Sequence, residues 1–168
     1  MHLGVGTDIV AVSRVARLIS EGGARFLQRW FTPQEVAYCS GKAHPEQHFA
    51  GRLAAKEAVF KALGADSQGA VPWRDLAIED HPHRAPTVRL SGELLELATS
   101  LGIDTVRVSL AHCEDYATAT AITVGTTPYP PPPTSARSDP RRITRRGAQR
   151  EGSISPFGRH WAQWERDR

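Results

Sequence analysis

The sequence predicts a small α+β domain in which an antiparallel-rich sheet carries one long helix and several short ones. Three observations carry that expectation. Thr105–His112 alternates apolar with polar residues, and Tyr116–Val124 supplies a partner strand across a Cys113-Glu114-Asp115 turn, so the two form a hairpin with His112 at its tip. Leu3–Val10 is a short, apolar, glycine-bearing run with strand character. Pro45–Leu63 places Phe49, Leu53, Phe60 and Leu63 at helical spacing and is closed by Gly64, the pattern of a long helix with one buried stripe.

Each remaining element has its own local reason. In the first strand, Leu3, Val5, Thr7 and Ile9 share one face, while Gly4, Gly6 and Asp8 share the other, so Asp8 projects from a face with little bulk. Val12, Val15, Leu18 and Ile19 then recur at helical spacing with Arg14 and Arg17 turned outward, until Gly22 and Gly23 stop the helix; a second short helix is expected over Ala24–Trp30. Thr32-Pro33-Gln34-Glu35 predicts a helix start, with Thr32 as cap, Pro33 at the first helical position and Glu35 three residues beyond the cap. That helix should end near Gly41. Weak strands follow at Leu76–Glu79 and Thr87–Leu90, joined by a turn-rich link, and Ser91 is positioned to cap a helix that runs to Leu101 and stops at Gly102.

Length and composition bound the function. A chain of 168 residues with 40% hydrophobic content suits one domain with one core, placed here at residues 1–125. Residues 1–125 hold 12 Lys/Arg against 14 Asp/Glu, whereas 126–168 hold 9 against 4, so the basic excess belongs to the C-terminal segment and says little about the domain. That segment, with Pro130–Pro133 and a Ser/Arg/Gly/Gln texture, predicts a disordered tail, although Phe157, Trp161 and Trp164 fall at helical spacing. Two cysteines, Cys39 and Cys113, form neither a metal clip nor a disulfide framework and suit a reducing cytoplasm. No stretch approaches the ~18 apolar residues of a membrane span, and the N-terminus lacks a basic start followed by an apolar run, so a soluble, unexported protein is expected.

The chemistry lies in the long helix. Glu57 and Lys61 stand one turn apart, close enough to hold a metal ion and a phosphate side by side, and Asp8 could complete a two-carboxylate magnesium site. Each residue also has an ordinary reading. Glu57 and Lys61 make an i,i+4 pair contributing about 0.3 kcal/mol, Asp8 can cap the following helix, His112 can be a hydrogen-bonded core histidine, and Ser109 can satisfy a backbone group. A dinucleotide fingerprint, a phosphate-cradling Gly-Lys-Ser/Thr loop, a zinc site and a Cys113–His112 nucleophile pair all fail on spacing or strand geometry.

Four blocks in order settle more: Gly4-Val5-Gly6-Thr7-Asp8-Ile9-Val10, Trp30-Phe31-Thr32-Pro33-Gln34-Glu35, Arg52-Leu53-Ala54-Ala55-Lys56-Glu57-Ala58-Val59-Phe60-Lys61-Ala62-Leu63-Gly64, and Val108-Ser109-Leu110-Ala111-His112. Together they resemble the holo-acyl-carrier-protein synthase family of 4'-phosphopantetheinyl transferases, over about residues 1–125. The resemblance implies magnesium-dependent transfer of 4'-phosphopantetheine from coenzyme A to a serine of an acyl carrier protein, releasing adenosine 3',5'-bisphosphate. It implies that Asp8 and Glu57 hold the metal, that Lys61 meets the pyrophosphate, that Arg52, Ser109 and His112 lie near the coenzyme, and that Arg14 contacts the acidic carrier. It also implies a cytoplasmic enzyme of fatty acid and lipid metabolism, assembled as a homotrimer with sites shared between subunits. The acidic turn after His112 and the tail depart from the family's usual core.

For the serine proton, a water on the metal, Glu57 or His112 could each act as acceptor; a metal-bound water or carboxylate is favoured over His112, because a water on the metal sits next to the reacting phosphorus whatever the rotamer of a distant side chain. The competing reading is a non-catalytic binding module that uses the basic, Trp-containing tail on nucleic acid or protein.

Overall fold

The first strand, β1 (His2–Ala11), forms because its apolar residues alternate with glycine and Asp8, and it runs directly into the helix α1 (Val12–Trp30). The computed structural model describes residues 2–65, 72–81 and 84–126, all within one unit spanning Met1–Pro128. The tail expected over 126–168 lies outside the described residues, apart from Thr126. α1 is kinked at Gly23, where φ is +51°, a conformation that glycine adopts without steric cost; this is the break the Gly22-Gly23 pair predicts. Helix α2 (Pro33–Ser40) starts with the expected reciprocal cap: Glu35 N–H donates to Thr32 Oγ1, and Thr32 N–H donates to Glu35 Oε2 at 2.8 Å.

The central helix α3 (Pro45–Ala62) departs from the single apolar stripe that its spacing predicts. Every residue from Phe49 to Phe60 is buried, including Arg52, Lys56 and Glu57. The reason is topological, because α3 is packed against β1, α1 and α2 and also against the three strands β2 (Leu76–His81), β4 (Ile103–His112) and β5 (Tyr116–Gly125). Between them lie β3 (Arg84–Leu90) and α4 (Gly92–Ser100), which complete the described chain after a 3₁₀ turn at Trp73–Asp75. Ser91 occupies the cap position of α4 but makes no cap bond; its hydroxyl donates to the Asp75 carbonyl instead.

The five strands form one antiparallel sheet in the order β1-β5-β4-β3-β2, which bears out the expected α+β class and the hairpin with His112 at its tip. Its inner face is made of small residues where α3 crosses: Gly4 and Gly6 on β1, and Ala117, Ala119, Ala121 and Thr123 on β5, the last four fully or nearly fully buried. Small side chains let helix and sheet backbones approach closely. The other side of α3 carries the aromatic core, with Phe31 against Phe49 at 4.9 Å between ring centroids, Trp30 against Trp73 at 5.1 Å and Phe60 against Trp73 at 5.8 Å.

Candidate active site

On the inner face of β1, a Cβ added to Gly4 would lie 2.1 Å from the Ala62 carbonyl oxygen. The same addition at Gly6 would lie 2.9 Å from Lys61 Cβ and closer still to backbone. The strand therefore lies on the α3 backbone, and the next side chain on this face, Asp8, meets the side chains of α3 instead. Lys61 Nζ donates to Asp8 Oδ1 at 2.8 Å and to the Thr7 carbonyl at 3.0 Å. Asp8 is not a helix cap, since α1 begins after Ala11 and has no side-chain cap.

The Asp8 side chain is 10% exposed and that of Lys61 is 30% exposed. Burial pushes the Asp8 carboxyl above its ordinary range, against the pull of its bond and charge pairing with Lys61, the Ile9 N–H and the charge of Arg14. Desolvation wins, so the positive charge already present falls short of what the carboxylate needs. A further cation at this oxygen would be welcome. Arg14, expected to turn away from the domain, is half-buried and lies near enough for its charge to act on Asp8.

Glu57 is one turn before Lys61 on the same face of α3 and is completely buried, whereas its spacing predicts a place at the border of a cleft. An enclosed carboxyl must be protonated, paired or bound to a cation. Among the described residues no group of three or more His, Cys, Asp or Glu side chains is arranged to hold a metal. A cation here would therefore use at most the two carboxylates, with water and substrate oxygens filling its other positions. Magnesium accepts that arrangement, so the donor set fits it.

A second pole lies toward the start of α3, in a cavity of about 290 Å³ lined by Tyr38, His48, Arg52, Asp80, Ser109 and His112 among others. Asp8, Glu57 and Lys61 do not line it. Arg52 and Lys61 are nine residues apart on one helix, roughly 13 Å along its axis, which leaves room for an extended ligand to span both poles. Arg52 is 4% exposed, pairs with Asp80 and stacks its guanidinium 4.2 Å above the Tyr38 ring. Val108, Leu110 and His112 belong to the inner face of β4, as the alternation predicts, whereas Ser109 is paired with Thr120 on the alternate, outer register. The structure thus gathers Arg52, Ser109 and His112 at one cavity and sets Asp8 on Lys61 at the other end of the helix.

Three participants escape the sequence reading. Tyr38 and Asp80 reach the cavity only through the packing of α2 and β2 on α3, so no local pattern marks them. His48 does have a signal, because it precedes Arg52 by four residues and so shares its helix face. Deeper in the core, Lys56 Nζ meets Glu35 Oε2 at 2.9 Å and donates to the Trp73 and Leu76 carbonyls, locking α3 to α2 and to the start of β2.

An antiparallel sheet folded round one enveloped helix, with an acid–lysine contact at one end and a cavity lined by Arg52, His48 and His112 at the other, defines the molecule as a small α+β protein. Residues 4–121 match the 4'-phosphopantetheinyl transferase superfamily, and the chain belongs to that family of transferases. It is 43% identical over 122 residues to the holo-[acyl-carrier-protein] synthase of Koribacter versatilis, covering 73% of this chain and 98% of the relative. Among solved structures it is similar to the holo-[acyl-carrier-protein] synthase of Neisseria meningitidis, with TM-score 0.66 and 33% identity over 72% of this chain and 97% of that one. It is likewise similar to the Helicobacter pylori synthase in complex with coenzyme A, with TM-score 0.60 and 28% identity over 71% and 99% of the two chains.

Proposed function

We propose that the protein transfers 4'-phosphopantetheine from coenzyme A to a serine hydroxyl of an apo acyl carrier protein, with magnesium held by Asp8 and Glu57. The observation that carries this reading is the Asp8–Lys61 contact, a partly desolvated acid and a partly exposed ammonium at the end of the helix remote from the Arg52 cavity. In the transfer, the serine oxygen forms a bond to the phosphorus that bears pantetheine, the bridging P–O bond breaks, and adenosine 3',5'-bisphosphate leaves. Lys61, partly exposed beside Asp8, would meet the charge that builds on the leaving phosphate, which is where fixed cations accelerate phosphoryl chemistry. Magnesium, when bound, would neutralise diphosphate oxygens and so lower the repulsion that an incoming hydroxyl meets. Arg52, Ser109 and His112 would hold the nucleotide end of the donor.

The sheet supports assembly into a homotrimer. Leu3, Val5 and Ile9 on β1 are 58%, 63% and 65% exposed, and Tyr116, Ile122 and Val124 continue the patch on β5. Exposed apolar side chains gathered on one sheet face are the kind of surface that a subunit interface covers. Ser109 lies on the same outer register, so a neighbour seated there would border the cavity from its second side. Arg14, beside Asp8, would draw the acidic carrier protein toward the reacting end. Among the described residues no helix is long and apolar enough to cross a membrane, and a cytoplasmic site of action suits a coenzyme A donor.

The test is incubation with coenzyme A, magnesium and several apo carrier proteins, read by mass spectrometry for the phosphopantetheine increment. Addition to a carrier serine, lost in Asp8→Ala, supports the reading. No increment on any carrier overturns it, and near-normal turnover of Asp8→Ala at millimolar magnesium removes the metal assignment.

A further inference from the structure

The cavity at the start of α3 holds a histidine to which the proposed transfer assigns no work. His48 sits half-buried on α3, with its ring 5.4 Å from that of His112 on β4 at 64° and 6.1 Å from that of Tyr38 on α2 at 77°. Both are edge-to-face contacts, so the imidazole is held between two elements. One turn further along α3, Arg52 lines the same cavity. An anion the size of a phosphate entering there would meet two imidazoles and a guanidinium.

The charged and titratable groups that face His48 come from every wall. His112 approaches from β4, Arg52 and Glu46 share its helix, Lys42 and Tyr38 come from the α2 side, and Asp80 on β2 lines the cavity and pairs with Arg52. Burial, and then the charges of His112, Arg52 and Lys42, hold the His48 imidazole below its ordinary range, with Glu46 pulling weakly the other way. In the free protein these surroundings favour the uncharged ring. A phosphate beside it reverses the sign of its surroundings.

Resting on the coenzyme A reading above, we propose that His48 is a binding residue for an anionic phosphate of the donor, acting with His112 and Arg52, and that it takes up a proton as the donor binds. The proton comes from solvent, and no covalent bond changes. By linkage, donor affinity then rises as pH falls through the interval between the free and the bound titration of His48. The ligand's own phosphate monoester titrates near pH 6 and shifts the total proton count. The free ligand's titration is common to the native chain and its variants and cancels in their difference.

The experiment is calorimetric titration of the full chain with coenzyme A at pH 6 to 8 in buffers of different ionisation enthalpy, which reads the protons exchanged. His48→Gln keeps the size and polarity of the side chain without its charge, and His48→Arg supplies a fixed charge; thermal melts of both check folding. The expected result is a proton uptake smaller in both variants than in the native chain. His48→Gln should also lose affinity at pH 6 by up to about tenfold for each unit by which binding raises the His48 titration, and match the native chain at pH 8. Equal proton numbers and parallel pH profiles in folded native and His48→Gln proteins overturn the inference while leaving the donor reading intact. If the native chain fails to bind coenzyme A at all, the donor reading falls and takes this one with it.

Discussion

The carbonyl oxygen of Ala58 stands 2.0 Å from the point where a side chain on Gly6 would begin. No such contact can exist for any residue but glycine, so β1 and α3 touch backbone to backbone. That contact fixes the level at which Asp8, two residues further along the strand, meets Lys61 at 2.8 Å.

Gly6→Ala should therefore damage both stability and activity. The obstructing atoms are the Ala58 carbonyl and the Ala62 amide, which are backbone and cannot rotate away. A cost of about 1–3 kcal/mol is expected for such overpacking, read as a lowered urea midpoint with unchanged slope. Transfer should fall further than the loss of folded protein explains, because Asp8 moves off Lys61. A variant as stable and as active as the native chain would show that the strand can shift without consequence.

The buried ion pair between Glu35 and Lys56 gives a second outcome. Both side chains are almost fully buried. Lys56→Met alone should cost about 3–5 kcal/mol, since it strands a carboxylate in the core. Adding Glu35→Gln should recover part of that loss by removing the stranded charge, though only part, because its single amide oxygen can accept from just one of the Thr32 and Ile78 N–H groups that Glu35 now serves at 2.8 and 3.1 Å. Denaturant unfolding of the two singles and the double closes the cycle, and simple additivity would argue against a coupled pair.

On the trimer reading, Val5→Lys together with Ile9→Lys should split the assembly. Both side chains point away from α3 and are more than half exposed, so the sheet itself should survive. Light scattering should report a smaller species, and transfer should drop because Ser109 lies on the same outer register. An unchanged mass would place the interface elsewhere.

The two cysteines should differ sharply in reactivity. Burial pushes the Cys39 thiol up to about 12, whereas Cys113 is exposed in the hairpin turn. One thiol per chain should react with a disulfide reagent in the native protein at pH 8, and the second only in denaturant. Two fast equivalents would mean that α2 opens readily.

Much of this was legible along the chain because it is local. Alternation over Leu3–Val10 and Thr105–His112 gave strands and put Asp8 and His112 on definite faces, and the Thr32–Glu35 cap appears as its spacing requires. The stripe on α3 was the instructive failure. Periodicity reports which residues are apolar, and Arg52, Lys56 and Glu57 broke the pattern while still being buried; Asp80 on β2 supplies the polar reason for Arg52 and Glu35 on α2 that for Lys56.

By itself, the order of residues determined the elements and the family, and it singled out the acids and bases proposed for the site, since these follow from side-chain chemistry at fixed local spacing. Only the tertiary structure decided that α3 is enveloped on all sides, that glycine in β1 brings Asp8 to Lys61, and that Tyr38, His48 and Asp80 join Arg52 at one cavity. The physical reason is that contacts between residues far apart in the chain depend on how closely two backbones can approach, and that distance is a property of the packed whole.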